Sequence, residues 1–213
     1  MSKQIVYIGQ EKCDFAYYLA AVLSTTGSVL VADNSFRGDL FSSVNKNPEE
    51  SVYEWRNITF TRDLNLAEGT DEFEYVLVYA GLDVDDEHLY DSKDTFYVVM
   101  PDYTGQCIET LKRLPIDLSG NNVLMITRDK CSKKTSAKGL AVILGISPKK
   151  IEGYIELSVK DTAAYNALTI NGRQNIKDTS DVMQQALMFT ASKILLLDEK
   201  QAKKVMAKAR KVK

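Results

Sequence analysis

The chain has 213 residues, of which 45% are apolar and 26% charged, and a formal net charge of −2. This is ordinary globular composition with enough apolar material for one sizeable core, and it excludes disordered, fibrous and disulfide-dense classes. No run approaches the ~18 apolar residues that a membrane-crossing helix needs. The start, MSKQIVYIG, enters a strand without the apolar stretch of a signal peptide, so a cytoplasmic protein is expected.

Gln4 to Ile8 reads as a strand, and Asp14 to Ser24 as a helix with Phe15, Leu19, Val22 and Leu23 at helical spacing and Gly27 ending it. SVLVADNS is a second strand without polar alternation, as when helices cover both faces of a sheet. Asp33 follows at its carboxyl end. Residues 36–72 scatter Phe36, Phe41, Val52, Trp55 and the strand-like ITF (Ile58 to Phe60) among polar residues, and read as helix, loop and strand. EYVLVYAG gives a buried strand at Glu74 to Tyr79 and TFYVVMPDY another at Thr95 to Met100. GQCIETLKRL follows as a helix, NNVLMITRD as a strand at Asn122 to Thr127, and SAKGLAVILGI as a helix ending near Leu144. GYIELS supplies a strand at Tyr154 to Leu157, and Thr179 or Ser180 caps a long helix from Asp181 to Leu195.

Strands alternating with helices, each strand a continuous Val/Ile/Leu/Tyr run, imply βαβ crossovers. The fold class expected is α/β, a mainly parallel central sheet of about seven strands with helices on both faces and Gln4 to Ile8 near its middle. Ligands on such sheets bind beyond the carboxyl ends of the strands. Those ends are Gly9 to Cys13, Asp33 to Phe36, Tyr79 to Asp83, Pro101 to Thr104 and Thr127 to Lys130. Cys13, Cys107 and Cys131 are odd in number and form no CxxC pair, so neither a zinc site nor a disulfide framework is suggested. His88, the single histidine, sits in the acidic DVDDEHLYD and reads as a solvated surface residue.

The stretch IVYIGQEKCDFAYYLAAVL has the outline of a phosphate-binding loop: strand, glycine, lysine three residues later, helix. With Leu19 and Ala20 aligned, Gly9 to Asp14 fall on the GVGKTT of the MinD/ParA branch of P-loop ATPases, which this chain resembles. TTGSVLVADNSFRGDL, EYVLVYAGLD, DTFYVVMPDYTGQCIETLKRL and NALTINGRQNIKDTSDVMQQALMFTASKIL are similar in order and pattern to later segments of that family, up to about Leu197. The resemblance implies the P-loop NTPase three-layer fold and a relic nucleotide site at Gly9, Lys12, Cys13, Asp14 and Asp33. It also sets Tyr103 near a base or a dimer partner.

The departures fall on the chemistry. Tyr7 stands where the family has its second lysine, Glu11 replaces a glycine, and Cys13 replaces the magnesium-binding hydroxyl. Ser35 stands at the second acid after the second strand, Tyr79 at the Walker B acid, and Thr127 at a base-contacting Asn. Against that pattern no catalytic residue, no metal ligand and no bound cofactor is expected. The reading is a non-catalytic or weakly nucleotide-binding scaffold or positioning protein, resembling the CpaE/TadZ-like proteins of bacterial pilus or secretion assemblies. The alternative is an ATP-binding ATPase whose atypical site is completed by a dimer partner. Most aromatic residues read as core, with Tyr17, Tyr18 and Tyr103 as exceptions to follow.

Charge is unevenly spread. Seven of the 27 basic residues lie in Lys200 to Lys213 without an acid, leaving 20 against 29 acids, or −9, in the first 199 residues. Residues 1–197 are therefore read as the P-loop-like domain and 198–213 as a basic helical tail that adds little to folding. The partners expected are other proteins or a second copy as a dimer, with an anionic membrane surface or an acidic partner meeting the tail. The acidic body argues against specific nucleic-acid binding.

Overall fold

In the computed structural model the described residues are 2–9, 13–47, 49–62, 69–82, 95–101, 103–128, 137–155 and 158–211. Eight strands form one sheet: β1 (Lys3–Gly9), β2 (Val29–Asp33), β3 (Val52–Trp55), β4 (Ile58–Thr61), β5 (Tyr75–Gly81), β6 (Phe96–Met100), β7 (Val123–Arg128) and β8 (Ile151–Ile155). Their order is β3-β4-β2-β5-β1-β6-β7-β8. Every pairing is parallel except β3 with β4. From β1 the sheet extends through β5, β2 and β4 on one side and through β6, β7 and β8 on the other, which opens a crevice at the carboxyl ends of the central strands.

Among the described residues seven α-helices accompany the sheet: α1 (Asp14–Leu23), α2 (Asp39–Val44), α3 (Gly105–Arg113), α4 (Ala137–Ile143), α5 (Val159–Asn171), α6 (Asp181–Leu195) and α7 (Glu199–Ala209). The core on one face of the sheet takes in Leu19, Phe41, Leu168, Leu187 and Met206 from α1, α2, α5, α6 and α7. The other face packs on Cys107 and Leu111 of α3 and on Leu118. This is the three-layer αβα arrangement that the uninterrupted apolar strands call for. All ten residues of α1 are buried, because the helix lies between the sheet and a second tier formed by α6 and α7.

The structure departs from the sequence reading in four places. The first is α1, which stops at Leu23 because the hydroxyls of Ser24, Thr25 and Thr26 each donate to a carbonyl three residues back; Gly27 is not in a left-handed conformation. Within residues 36–72, Val52–Trp55 pairs antiparallel with Ile58–Thr61 as a hairpin whose turn holds Arg56 at φ 58°. The stretch before Ser180 contains α5, whose single capping serine, Ser158, receives a hydrogen bond from the Asp161 amide at 3.0 Å. Residues 156 and 157 of the last expected strand lie outside the described residues.

The fourth departure is the tail. Ala202, Val205, Met206 and Ala209 of α7 are all buried, against α6 and α1. Asp198 caps α7 by accepting from the Gln201 amide at 2.8 Å, while the Gln201 side chain accepts from the Asp198 amide at 3.0 Å. This reciprocal box starts the helix in place, so α7 is a packed element and not a solvated end. The turn before it carries Leu196 at φ 55°, ψ 44°, with the Leu197 amide donating to the Ser192 carbonyl at 2.9 Å. Glycine usually occupies that left-handed position, and a side chain there costs about 1–2 kcal/mol. No helix among the described residues is long and apolar enough to cross a membrane.

Candidate functional site

Gly9 ends β1 and pairs with Met100 of β6. A Cβ at Gly9 would lie 2.8 Å from the Met100 carbonyl oxygen and 2.9 Å from its Cβ, so strand packing alone requires glycine here. Lys12, with Gln10 and Glu11, lies outside the described residues, and so do His88 and Cys131.

Cys13 precedes α1 in helical conformation without capping it through its side chain. Its thiol is fully buried, 3.5 Å from Ser43 Oγ and 3.7 Å from the Asp39 carbonyl. Burial pushes the thiol up to about 12, aided by the carboxylates of Asp14, Asp33 and Asp39, while the hydrogen bond with Ser43 opposes the shift. A neutral thiol so placed is neither a nucleophile nor a hard-cation ligand. Asp14, at the first helical position, is 1% exposed and accepts from the Phe15 amide at 2.9 Å. One of the free amides at the start of the helix is thereby satisfied from within the chain.

Asp33 is equally committed. Its Oδ1 accepts from the Ser35 amide at 3.1 Å and from Ser35 Oγ at 2.5 Å, and its Oδ2 accepts from the Phe41 amide at 2.7 Å. It shapes the turn after β2 and caps α2 from a distance. Burial raises its carboxyl above the ordinary range although all three hydrogen bonds oppose the shift.

At the centre, Tyr7 and Tyr79 pair across β1 and β5, their ring centroids 5.4 Å apart at 27°. Phe15 also stacks on Tyr7, with ring centroids 6.3 Å apart at 29°. The Tyr7 hydroxyl donates to Met100 Sδ at 3.2 Å, and burial drives the Tyr79 phenol well above its usual range. Tyr7 and Tyr79, where the resemblance sets a lysine and a Walker B acid, are thus stacked aromatic rings, with Phe15 packed against Tyr7.

Sequence reasoning did not single out Asp39, Ser43 or Tyr165, which the fold brings to the same corner. Tyr165 reaches it from α5, where burial and then Cys13, Asp14 and Asp39 raise its phenol. Asp161, 1% exposed, was also missed; its Oδ1 accepts from the Ser180 amide at 2.7 Å and its Oδ2 from Ser158 Oγ at 2.8 Å, joining the starts of α5 and α6. The serine spacing S-x-x-D was the available signal.

Tyr17 and Tyr18 are fully buried. Tyr17 stacks on Trp55 at 5.9 Å, donates to the Gln174 carbonyl at 3.4 Å and accepts from the Gln174 amide at 3.2 Å. Tyr103 is half-buried and Thr127 fully buried. Beyond β2 and β5, Ser35, Arg37, Asp39, Tyr79, Gly81 and Gln106 line a cleft of about 140 Å³, below the several hundred Å³ of ordinary small-molecule sites. Among the described residues no group of three or more His, Cys, Asp or Glu could hold a metal ion.

No protein-family model matches the chain, and no curated protein matches it. Solved structures do. A ParA family ATPase from Chlorobium tepidum superposes with a TM-score of 0.57 at 13% identity, covering 98% of this chain and 99% of that one. A chain of the MinC:MinD cell division protein complex from Aquifex aeolicus superposes with a TM-score of 0.63 at 13% identity, covering 92% and 97%. The fold is that of the ParA- and MinD-type P-loop ATPases.

Proposed function

We propose that this chain is a non-catalytic or weakly nucleotide-binding relative of the ParA/MinD ATPases, acting as a scaffold or positioning protein through protein contacts. The observation that carries the reading is the stack of Phe15, Tyr7 and Tyr79 at the central strand ends, where neutral rings occupy positions that ATP hydrolysis would give to charged groups.

In support of this reading, the described part of the donor set is a poor match for magnesium and triphosphate. Cys13 is a buried neutral thiol, Tyr79 offers no carboxylate, and both oxygens of Asp33 already accept hydrogen bonds. Asp14, Asp33 and Asp39 all act electrostatically on Cys13, an acidic setting at the start of α1 that does not favour a further anion. Two like charges at 4 Å repel by about 1 kcal/mol in water and several times that at lower effective dielectric. Gly9, Lys12, Cys13, Asp14 and Asp33 are then the relic of a nucleotide site, with no hydrolytic step assigned to them.

The positioning role follows the resemblance of the sequence to CpaE/TadZ-like proteins, which makes a bacterial pilus or secretion assembly the setting, by analogy. In this reading residues 1–197 carry the P-loop-like elements, and 198–213, with α7 packed on α1 and α6, present a basic outer face to partners at the inner side of the membrane or in the cytoplasm. Titration with fluorescent ATP, with and without magnesium, tests it. No saturable binding below about 1 mM is expected, equivalent to less than about 4 kcal/mol of affinity. Micromolar binding abolished by Lys12→Ala would overturn the proposal in favour of an ATP-binding protein.

A further inference from the structure

The outer face of α7 combines three features. Lys200, Lys203, Lys204, Lys208, Arg210 and Lys211 are all exposed, while Ala202, Val205, Met206 and Ala209 are buried against the body. Lys200, Lys203, Lys204 and Ala207, with Asp198 and Glu199 at one end, line a shallow depression along the helix, and the small Ala207 lets another backbone approach between the lysine stems. Just before the helix, Leu196 is 85% exposed in a left-handed conformation, a strained position at which glycine would relax the turn.

We infer that this face is the docking site for an acidic helical segment of a partner protein, with Leu196 as the apolar anchor and the lysine stripe pairing with its carboxylates. The inference rests on the reading of the chain as a protein-binding scaffold, and it names the surface used. Charge complementarity selects the occupant. An antiparallel two-fold pairing of α7 with its own copy would set Lys200 against Lys211 and Lys203 against Lys208, which like charges oppose. A bilayer is less suited, because the apolar face of α7 is already consumed inside the molecule. The exposed Asp198 and Glu199, the latter bridged to Lys203, also give the stripe an acidic end that an anionic sheet of lipid cannot match. A directional acidic helix can.

The test uses the full chain and a labelled helical peptide of Glu, Ala and Leu, about 18 residues long, with its Glu and Leu residues on one stripe, followed by fluorescence anisotropy. Binding is expected, weakening with salt. Lys203→Glu/Lys204→Glu/Lys208→Glu should weaken it by about tenfold or more, and Leu196→Gly by about threefold, as losses at a central charged and apolar contact. Lys138→Glu/Lys149→Glu/Lys160→Glu, at exposed lysines elsewhere, should leave it unchanged. Melting curves verify that every variant is folded. Equal binding of a scrambled peptide of the same composition, equal loss in the control variant, or tighter binding of anionic vesicles or duplex DNA would each overturn the inference. None of these outcomes depends on nucleotide, so failure here and failure of the ATP titration are separate results.

Discussion

Truncating the chain after Leu197 should destabilise it strongly. The helix removed buries Val205 at 8% and Met206 at 3% exposure, together with Ala202 and Ala209. Burial of each of the two larger side chains contributes about 1.5–3 kcal/mol, so their loss alone amounts to about 3–6 kcal/mol. Removal also uncovers apolar surface on α1 and α6, against which α7 packs. For a domain this size, 1 kcal/mol moves the melting temperature by about 2–4 °C, so a fall on the order of 10 °C is expected in calorimetry or a circular dichroism melt. Met206→Ala should reproduce about 2–5 kcal/mol of it, whereas Lys204→Ala, fully on the outer face, should stay within about 0.5 kcal/mol. A truncated chain melting within about 3 °C of the full chain would refute the packing argument.

Two neighbouring tyrosines should respond in opposite ways. The Tyr18 hydroxyl is buried and has no hydrogen-bond partner among the described residues, so Tyr18→Phe should be neutral or stabilising by up to about 1–2 kcal/mol, whereas Tyr17→Phe forfeits both contacts with Gln174 and should cost about 1 kcal/mol in urea unfolding. For Asp33, burial raises the folded carboxyl above its ordinary 3.8. The folded chain therefore holds that proton more tightly than the unfolded one; the contribution is fully present below pH 3.8 and is lost as pH rises through the raised folded value. Asp33→Asn should flatten that part of the stability profile in urea midpoints taken from about pH 4 to 7; an unchanged slope would show that Asp33 does not titrate there.

The sheet was legible because buried parallel strands read as uninterrupted apolar runs. Five of them, in IVYIG, SVLVADNS, EYVLVYAG, TFYVVM and NNVLMITRD, stand where the runs place them to within two residues. β3 was not legible: VYEW is four residues long, mostly exposed and at the sheet edge, so little burial pressure shaped it. Nor was α5, in which only Asp161, Ala164 and Leu168 are buried, too few for a clear stripe. The stripe of α7 was visible, but Ala202 and Ala209 understate how deeply it sits, since small residues permit close packing without raising hydrophobicity. At the site, the unusual residue types were legible one by one. What they do depends on the pairing of Tyr7 with Tyr79 and on the reach of Asp33 to Phe41, relations set by strand register and by a turn that no single stretch encodes.

The seating of α7 against α1 also orders events during synthesis. Every residue of α1 is buried, and one of its covers, α7, is translated roughly 180 residues after it. At 5–20 residues per second, α1 waits about 10–40 s for that cover. Until then the nascent chain carries an exposed greasy surface that a chaperone can hold and a neighbouring nascent chain can misuse. Completion of this fold is thus tied to synthesis of α7, and a stop before α7 leaves α1 without that cover.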